Sequence, residues 1–404
     1  MTMTHGENED WRWHRARGYT PVVNVSGTMT SLGASVTAPA VAEATAAAMS
    51  RFVRIHEMQA DASRVIARLT GSEAGCLTAS AAAGITLSVA ACMTGLDPAR
   101  AEALPRNPGP KPKVAVQIGH LCGYGAPIAQ GIELAGATVL PFGQSTHVMD
   151  YQLQAALGPE TAAALYVVSH HVVHYGQMRF ARFAEICREA EVPVIVDAAS
   201  EYDLRRFIAE GADLAIYSGH KFMGGPTAGI VAGRRDLVRA VYLQNMGIGR
   251  GMKIGKESLA GAIAAMEAWM TRDHDGIRAT ERAALELWAR SFAGIPGITA
   301  RIVADPTGNP LERMQIEVGP ASGSTAAALA RHLGGLEPAV VVRDHEVELG
   351  YFQLDPCNLL PGQAEIVAAT VGEVLRGASA TPPRPDDLDR QRNGGVAPYL
   401  NWLA

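Results

Sequence analysis

A chain of 404 residues, 48% hydrophobic and 19% charged, has material for a large core and a second smaller one, which excludes a disordered or fibrous protein. A formal net charge of -5, with no dense Lys/Arg block, repels a phosphate backbone, so no nucleic acid is expected as a partner. The five cysteines (Cys76, Cys92, Cys122, Cys187, Cys357) are odd in number and form no C-x-x-C pair; the polar start MTMTHGENEDWRWHRARGY and the absence of a long apolar run point to a cytoplasmic chain without disulfides, zinc site or membrane span.

In chain order, the first 20 residues or so read as an arm, followed by a short strand Val22–Val25 and the close-turning Ser26-Gly27-Thr28. Helical patterns cover Pro39–Arg51 and Glu57–Leu69, and Ala81–Met93 is apolar nearly all round, which predicts a buried helix. From Lys113 the strands KVAVQI, ATVLPF, AALYVVS, VPVIVDA and DLAIYS alternate with helices over 125–135, 151–157, 180–190 and 203–210. That rhythm predicts βαβ units on a mainly parallel sheet covered on both faces, an α/β large domain whose ligands sit beyond the C-terminal strand ends. AGIVAG (228–233) is one more strand, and two long helices, Lys256–Asp273 and Gly276–Phe292, lead outward. Beyond them, strands at Ala300–Val303, Met314–Val318, Ala339–Val342 and Val347–Leu354 mix with helices Ser324–His332 and Gln363–Arg376, an α+β pattern; the Pro- and charge-rich tail from Thr381 is expected to wrap a surface. The predicted organisation is an arm and first segment over 1–50, a large α/β domain over 51–275 and a small α+β domain with its tail over 276–404.

The chemistry concentrates where VPVIVDAAS ends a buried strand in Asp197 and the next strand ends at Ser218-Gly219-His220-Lys221, with Gly224-Gly225-Pro226 close behind. An amine and a carboxylate delivered to one crevice by adjacent strands suit pyridoxal 5'-phosphate (PLP): the amine carries the aldehyde as an imine, and the acid keeps the pyridine nitrogen protonated so that the ring accepts electrons. An ordinary loop lysine and a helix-capping aspartate are the alternatives; the neighbouring Gly-Gly-Pro and the Asp-ended strand favour the cofactor. Upstream, Ser80, Ala81 and Ala82 open the buried helix, where small side chains let backbone N–H groups approach a phosphate, and Ser218 is placed to join them.

The order of these pieces resembles the fold-type I PLP enzymes. The run SGHKFMGGPTAGIVAGRRDLV followed by MGIGRGMKIGKESLAGAIAAME is similar to the branch containing seryl-tRNA selenium transferase and the D-glucosaminate-6-phosphate ammonia-lyase type enzymes, over about Val22 to Val371. The resemblance implies an aminotransferase-like large domain, Lys221 as the imine lysine, Asp197 as the partner of the pyridine nitrogen, and a phosphate cradle at Ser80, Ala81 and Ala82. It also places His120 of IGHLCGYG over the cofactor ring, with Tyr124 one turn on, and implies a homodimer or a multiple of it. Two departures follow. The selenium transferases carry an additional tRNA-binding domain for which this chain has no room, and His220 precedes the lysine where an acidic or small residue is more familiar in the branch.

His170, His171 and His174 follow the strand AALYVVS; with no acid or cysteine beside them they are read as lining the crevice, His170 and His171 as acid or base and His174 as a substrate contact, rather than as metal ligands. Arg343, closing AVVVR, is a candidate clamp for a substrate carboxylate against the alternative of a solvated strand end. Arg54 and His56 stay open between a neighbouring subunit's cleft and the surface, as do Arg250, Lys253 and Lys256 between a phosphate and a solvated face. The expected activity is that of a PLP-dependent lyase: Lys221 removes the α-proton of a small amino acid, a β-substituent leaves with help from His220, His170 or His171, and a keto acid and ammonia are released. Racemisation, then transamination, are the enzymatic alternatives, and a non-catalytic protein of the same fold is the alternative of another class.

Overall fold

The computed structural model describes residues 9–403. The chain enters through α1 (Glu9–Ala16) and β1 (Val22–Val25), then builds α2 (Pro39–Met49), α3 (Ile55–Thr70), β2 (Ala74–Thr78), α4 (Ala81–Thr94) and α5 (Pro98–Ala103). The alternating stretch follows as β3 (Lys113–Gln117), α6 (Ile128–Glu133), β4 (Thr138–Phe142), α7 (Asp150–Ala156), β5 (Thr161–Val167), α8 (Phe180–Glu189), β6 (Val194–Asp197), α9 (Arg206–Ala209) and β7 (Leu214–Ser218). After β8 (Gly229–Gly233), α10 (Arg235–Leu243) and α11 (Lys256–Thr271) come α12 (His274–Phe292), β9 (Ile298–Ala304), β10 (Glu312–Val318), α13 (Ala326–Gly334), β11 (Ala339–Val342), β12 (Tyr351–Leu354), α14 (Gln363–Arg376), α15 (Asp387–Gly394) and α16 (Ala397–Asn401). Among the described residues no helix is long and apolar enough to cross a membrane.

The chain divides into two units. One is Ser35–Arg272; the other joins the N-terminal segment up to Ala34 to everything from Asp273 onward. The first is built on a seven-stranded sheet of order β2-β8-β7-β6-β5-β3-β4, in which β3 through β7 pair in parallel and β8 alone runs antiparallel to both neighbours. Side chains on a strand alternate between faces. Val194, Val196, Ala215 and Tyr217 accordingly enter one core with α3, α8 and α11, while Ile195, Leu214 and Ile216 enter the other with α4, α6 and α10. The predicted α/β sheet with both faces covered is what these residues build. α4 has no polar stripe because it is covered by the sheet on one side and by α6 and α10 on others.

The second unit has an antiparallel sheet β12-β10-β9 and a separate parallel pair β1-β11, packed by α12, α13 and α14 around Trp288, Phe292, Phe352 and Val340. Of the arm expected over the first 20 residues or so, ahead of β1 in the segment 1–50, residues 1–8 lie outside the described residues. Val23 and Val25 are fully buried in the core of this unit, with β1 zipped to β11 from Val22↔Ala339 to Val25↔Val342, whereas α2 packs on α11 in the larger unit. The reading of Val347–Leu354 as one strand shortens to Tyr351–Leu354, because Val347–Leu349 makes a single 3-10 turn closed by Gly350 at φ +86°. The tail carries two short helices, and Asp387 holds it to α13 through Arg331, 2.6 Å away.

Candidate active site

β6 and β7 pair in parallel with Asp197 opposite Ile216, so both strands release the chain at the same edge of the sheet. By the two-residue period, Asp197 shares its face with Ile195 and Ser218 shares its face with Ile216, the face on which α4 lies. A carboxylate and a hydroxyl are thereby directed to the side where α4 begins. There Ser80 caps the helix: its Oγ accepts the Ala83 N–H at 3.1 Å, and its carbonyl accepts the Thr78 hydroxyl at 2.9 Å. Ala81 and Ala82 follow with no acidic side chain in the first turn, so the positive helix end is unopposed. β8 passes directly behind; a Cβ on Gly229 would lie 2.2 Å from the Ser80 carbonyl oxygen, so only glycine permits this approach.

The loop after β7 is fixed by its own backbone. Gly219 donates to the Ala228 carbonyl and Gly225 to the Gly219 carbonyl, both at 2.9 Å, Gly224 turns at φ +67°, and Ser35 Oγ donates to the His220 carbonyl at 2.7 Å. This presents Lys221, whose Nζ donates to Ser200 Oγ. Ser200 belongs to the turn that follows β6, where the Ala199 N–H reaches Asp197 Oδ1 at 3.2 Å and the Glu201 N–H reaches the Ala198 carbonyl at 3.1 Å. Burial pushes the Lys221 ammonium below its ordinary value, against the pull of Asp197 and then Glu201. Burial also raises Asp197 to about 6, against the opposing effects of Lys221 and the Ala199 N–H. The amine is thus more readily freed of its proton than an exposed lysine, and the carboxylate has unmet demand for a cation. His220 Nδ1 lies 2.9 Å from Ser218 Oγ, and burial followed by the Lys221 charge lowers its pKa, so its ring is neutral near pH 7 and able to take up a proton.

His120 sits just beyond β3 with only 2% of its surface exposed. Its Nδ1 accepts the Val167 N–H at 3.0 Å and its ring meets Tyr166 edge-on with centroids 4.5 Å apart, while burial, then His174, lowers its pKa to about 3. The residues of this segment that feel Asp197 are Cys122 and Tyr124: burial first and that carboxylate second push their pKa values to about 11 and about 12, and both pack against the core face that also takes Ala81. Tyr124 is thus within electrostatic reach of Asp197, whereas the His120 ring is tied to the end of β5. His170, His171 and His174 lie in the loop after β5, at the same C-terminal edge; the rings of His170 and His171 are 3.9 Å apart and tilted by 45°, and His174 Nε2 is 3.2 Å from the His170 carbonyl.

Arg343 belongs to the other unit. It is 5% exposed, its backbone exchanges two 2.9 Å hydrogen bonds with Gln353, and its Nε has no hydrogen-bond partner among the described residues. Of the basic residues left open by sequence, Lys256 donates from Nζ to the carbonyls of Met49 and Arg51, closing the end of α2, and Arg54 pairs with Glu57 at 3.2 Å on the surface. Sequence reading missed Ser200 and Glu201. The available signal was two polar residues directly behind a strand-ending aspartate, DAASE, in a stretch that the strand pattern buries.

Three comparisons bear on this geometry. The family described as SelA, L-seryl-tRNA selenium transferase, matches residues 113–302. A D-glucosaminate-6-phosphate ammonia lyase from Salmonella typhimurium is 36% identical over 90% of this chain and 97% of its own length, and a 5'-C-glycyluridine monooxygenase-decarboxylase from a Streptomyces species is 37% identical over 92% and 94%. A solved structure of D-glucosaminate-6-phosphate ammonia-lyase superposes with a TM-score of 0.81 at 35% identity, covering 91% of this chain and 99% of that one. An aspartate aminotransferase from Thermus thermophilus shares the fold alone, at 14% identity and a TM-score of 0.54 over 91% of this chain and 94% of that one.

Proposed function

Because the chain belongs to the family that unites the L-seryl-tRNA selenium transferases with the D-glucosaminate-6-phosphate ammonia lyases, we propose that it is a PLP-dependent lyase. Its substrate in this reading is a small amino acid or amino-acid derivative that loses its α-proton and a β-substituent and yields a keto acid and ammonia. The observation that carries the reading is the convergence of three features at one sheet edge: Asp197 at the end of β6, Ser218 at the end of β7 with the half-buried Lys221 in the loop beyond it, and the acid-free first turn of α4 on the face that Asp197 and Ser218 share.

These residues fit the cofactor. A carboxylate raised by burial gains most from a pyridinium cation; an amine lowered by burial is a good nucleophile toward an aldehyde; and the Ser80-Ala81-Ala82 turn, kept open behind by Gly229, suits a phosphate. When bound, PLP supplies an electron sink that acidifies the substrate's α-proton. Lys221 Nζ is the base that takes that proton, and Asp197 holds the ring nitrogen in its charged form. His220, oriented by Ser218, would take up the proton that Lys221 has removed and pass it to the leaving group, with His170 and His171 as further candidates at the same sheet edge. Ser218 completes the phosphate contacts, Tyr124 and His174 line the substrate side, and His120, neutral and locked to Val167, backs the crevice as the ring contact. A cytoplasmic homodimer completes the reading.

Borohydride reduction of the yellow protein followed by peptide mapping tests it: the label is expected on Lys221, and any other position removes the basis of the mechanism. A panel of small D- and L-amino acids, phosphorylated ones included, is then scored for ammonia and keto acid. The Streptomyces relative favours a second reading, because its name joins oxygen insertion with decarboxylation at a similarity equal to that of the lyase. Oxygen uptake and carbon dioxide release on the same panel, in place of ammonia release, would establish it.

A further inference from the structure

We infer that Arg272 and Ser35 are the positioning residues of the lysine loop, two donors from outside it that fix the backbone on both sides of Lys221. This assignment, which rests on the proposed function, is carried by four consecutive carbonyls. Gly219 accepts the Gly225 N–H at 2.9 Å and Lys221 accepts the Gly224 N–H at 3.1 Å, both inside the loop. The two that alternate with them are held from elsewhere. The His220 carbonyl accepts Ser35 Oγ at 2.7 Å, and the Phe222 carbonyl accepts Arg272 Nη1 at 2.8 Å. The residues directly before and after the lysine are therefore each tied to a segment remote in sequence.

The helix α11 brings Arg272 into register with the loop. Gly261, Ala265, Trp269 and the C-cap Arg272 recur every three or four residues, which places them on one helix face. A Cβ on Gly261 would lie 2.7 Å from Pro226 Cγ, and one on Gly225 3.0 Å from Ala265 Cβ, so the loop lies flat against this face. The Arg272 guanidinium covers the Trp269 ring at 5.4 Å; that ring is 4.6 Å from Tyr202, which in turn meets Phe222 edge-on at 5.8 Å. Stacking on Trp269 restricts the guanidinium before it donates to Phe222. Lys221 has two tasks in the proposed reaction, carrying an aldehyde and then moving a proton. Its Nζ must swing between them while its Cα stays in place, and hydrogen-bonded peptide groups on either side leave the side-chain torsions as the moving part.

The test uses the full chain freed of cofactor. Trace acetylation across pH 6–11, with the Lys221 peptide quantified by mass spectrometry, gives the pH midpoint at which this one amine becomes reactive. Partial burial holds the amine below its ordinary value, so a loosened loop that admits water raises the midpoint. The groups that act on its charge, Asp197, Glu201 and His220, stay in place throughout. Ser35→Ala, which changes no charge, and Arg272→Gln are each expected to raise the midpoint by about 0.5–1 pH unit. Both are also expected to speed hydrogen exchange at the Gly224 and Gly225 amides by about tenfold. Ser35→Thr and Arg272→Lys, which return a donor, are expected to recover much of each effect. Thr271→Ala, at the same helix end with its hydroxyl turned to the Ala268 carbonyl, is the control expected to move neither value. Thermal unfolding reports whether each variant folds. A folded Ser35→Ala or Arg272→Gln protein that keeps the wild-type midpoint and exchange overturns the role of that residue, and a Thr271→Ala protein that shifts as far overturns both. If one of the two does not fold, the other decides. Borohydride labelling of the wild-type holoenzyme at Lys221 is read separately, so failure of the cofactor assignment and failure of this inference are distinct results.

Discussion

Gly229→Ala is expected to loosen the corner of the sheet that carries the phosphate cradle. An added Cβ would stand 2.2 Å from the Ser80 carbonyl oxygen, 2.4 Å from the Ser80 carbonyl carbon and 2.4 Å from Thr78 Oγ1. An ordinary contact needs well over 3 Å, and two of these atoms are backbone, so either β8 or the β2–α4 corner must move by about an ångström. The carbonyl that is displaced accepts two hydrogen bonds, from Thr78 Oγ1 and from the Gly84 N–H, both at 2.9 Å, and its residue is the N-cap of α4. Overpacking of this kind costs about 1–3 kcal/mol and a lost cap about 1 kcal/mol, giving roughly 2–4 kcal/mol together. At about 2–4 °C per kcal/mol for a unit of this size, the melting temperature should fall by roughly 5–15 °C, measured calorimetrically on the apoprotein. The affinity for PLP, followed by fluorescence titration, should fall with it, since the same turn is proposed to hold the phosphate. Gly158→Ala is the control, because nothing lies within 4 Å of its added Cβ. If Gly229→Ala melts within a degree of that control, the close approach of β8 to Ser80 is not what shapes the cradle.

Two further substitutions probe charge. Asp197 has a pKa raised from 3.8 to about 6, so between those values the native state binds more protons than the unfolded chain, and the stability of the apoprotein falls as pH rises through that window. Asp197→Asn should abolish that fall, of about 2–3 kcal/mol in order of magnitude, and PLP affinity, which in the wild type should strengthen as pH passes 6, should lose that dependence; urea midpoints and cofactor titrations at pH 4.5 and 7 read both. In the second unit, Arg313 bridges Asp305 at 2.7 Å and Asp355 at 2.8 Å with all three side chains buried. Arg313→Met leaves two buried carboxylates without their cation and is expected to cost about 3–5 kcal/mol in urea unfolding, while an unchanged midpoint would show the triad to be solvated in solution.

Much of the site was legible before any fold was known. Asp197 and Lys221 each end or follow a strand by local pattern alone, and parallel βαβ units bring successive strand ends to one edge; two residues 24 apart in sequence are thereby placed in one crevice without knowledge of long-range contacts. The same holds for Ser80, because an apolar helix preceded by a small polar residue names its own N-cap. The turn DAASE was harder: nothing local says that Ser200 and Glu201 turn inward, since polar residues after a strand usually face water.

The sequence by itself determined the alternation of strands and helices, the two faces of the large sheet and the amine and acid at its edge, because these depend on periodicity and on neighbours a few residues away. Only the tertiary structure decided that β1 pairs with β11 more than three hundred residues later, that Lys256 closes the end of α2, that His120 is enclosed against Val167 and Tyr166, and that Glu201 is buried. Each of those outcomes depends on which distant surface excludes water from a residue, and that is fixed by packing between segments rather than by the order of residues within one.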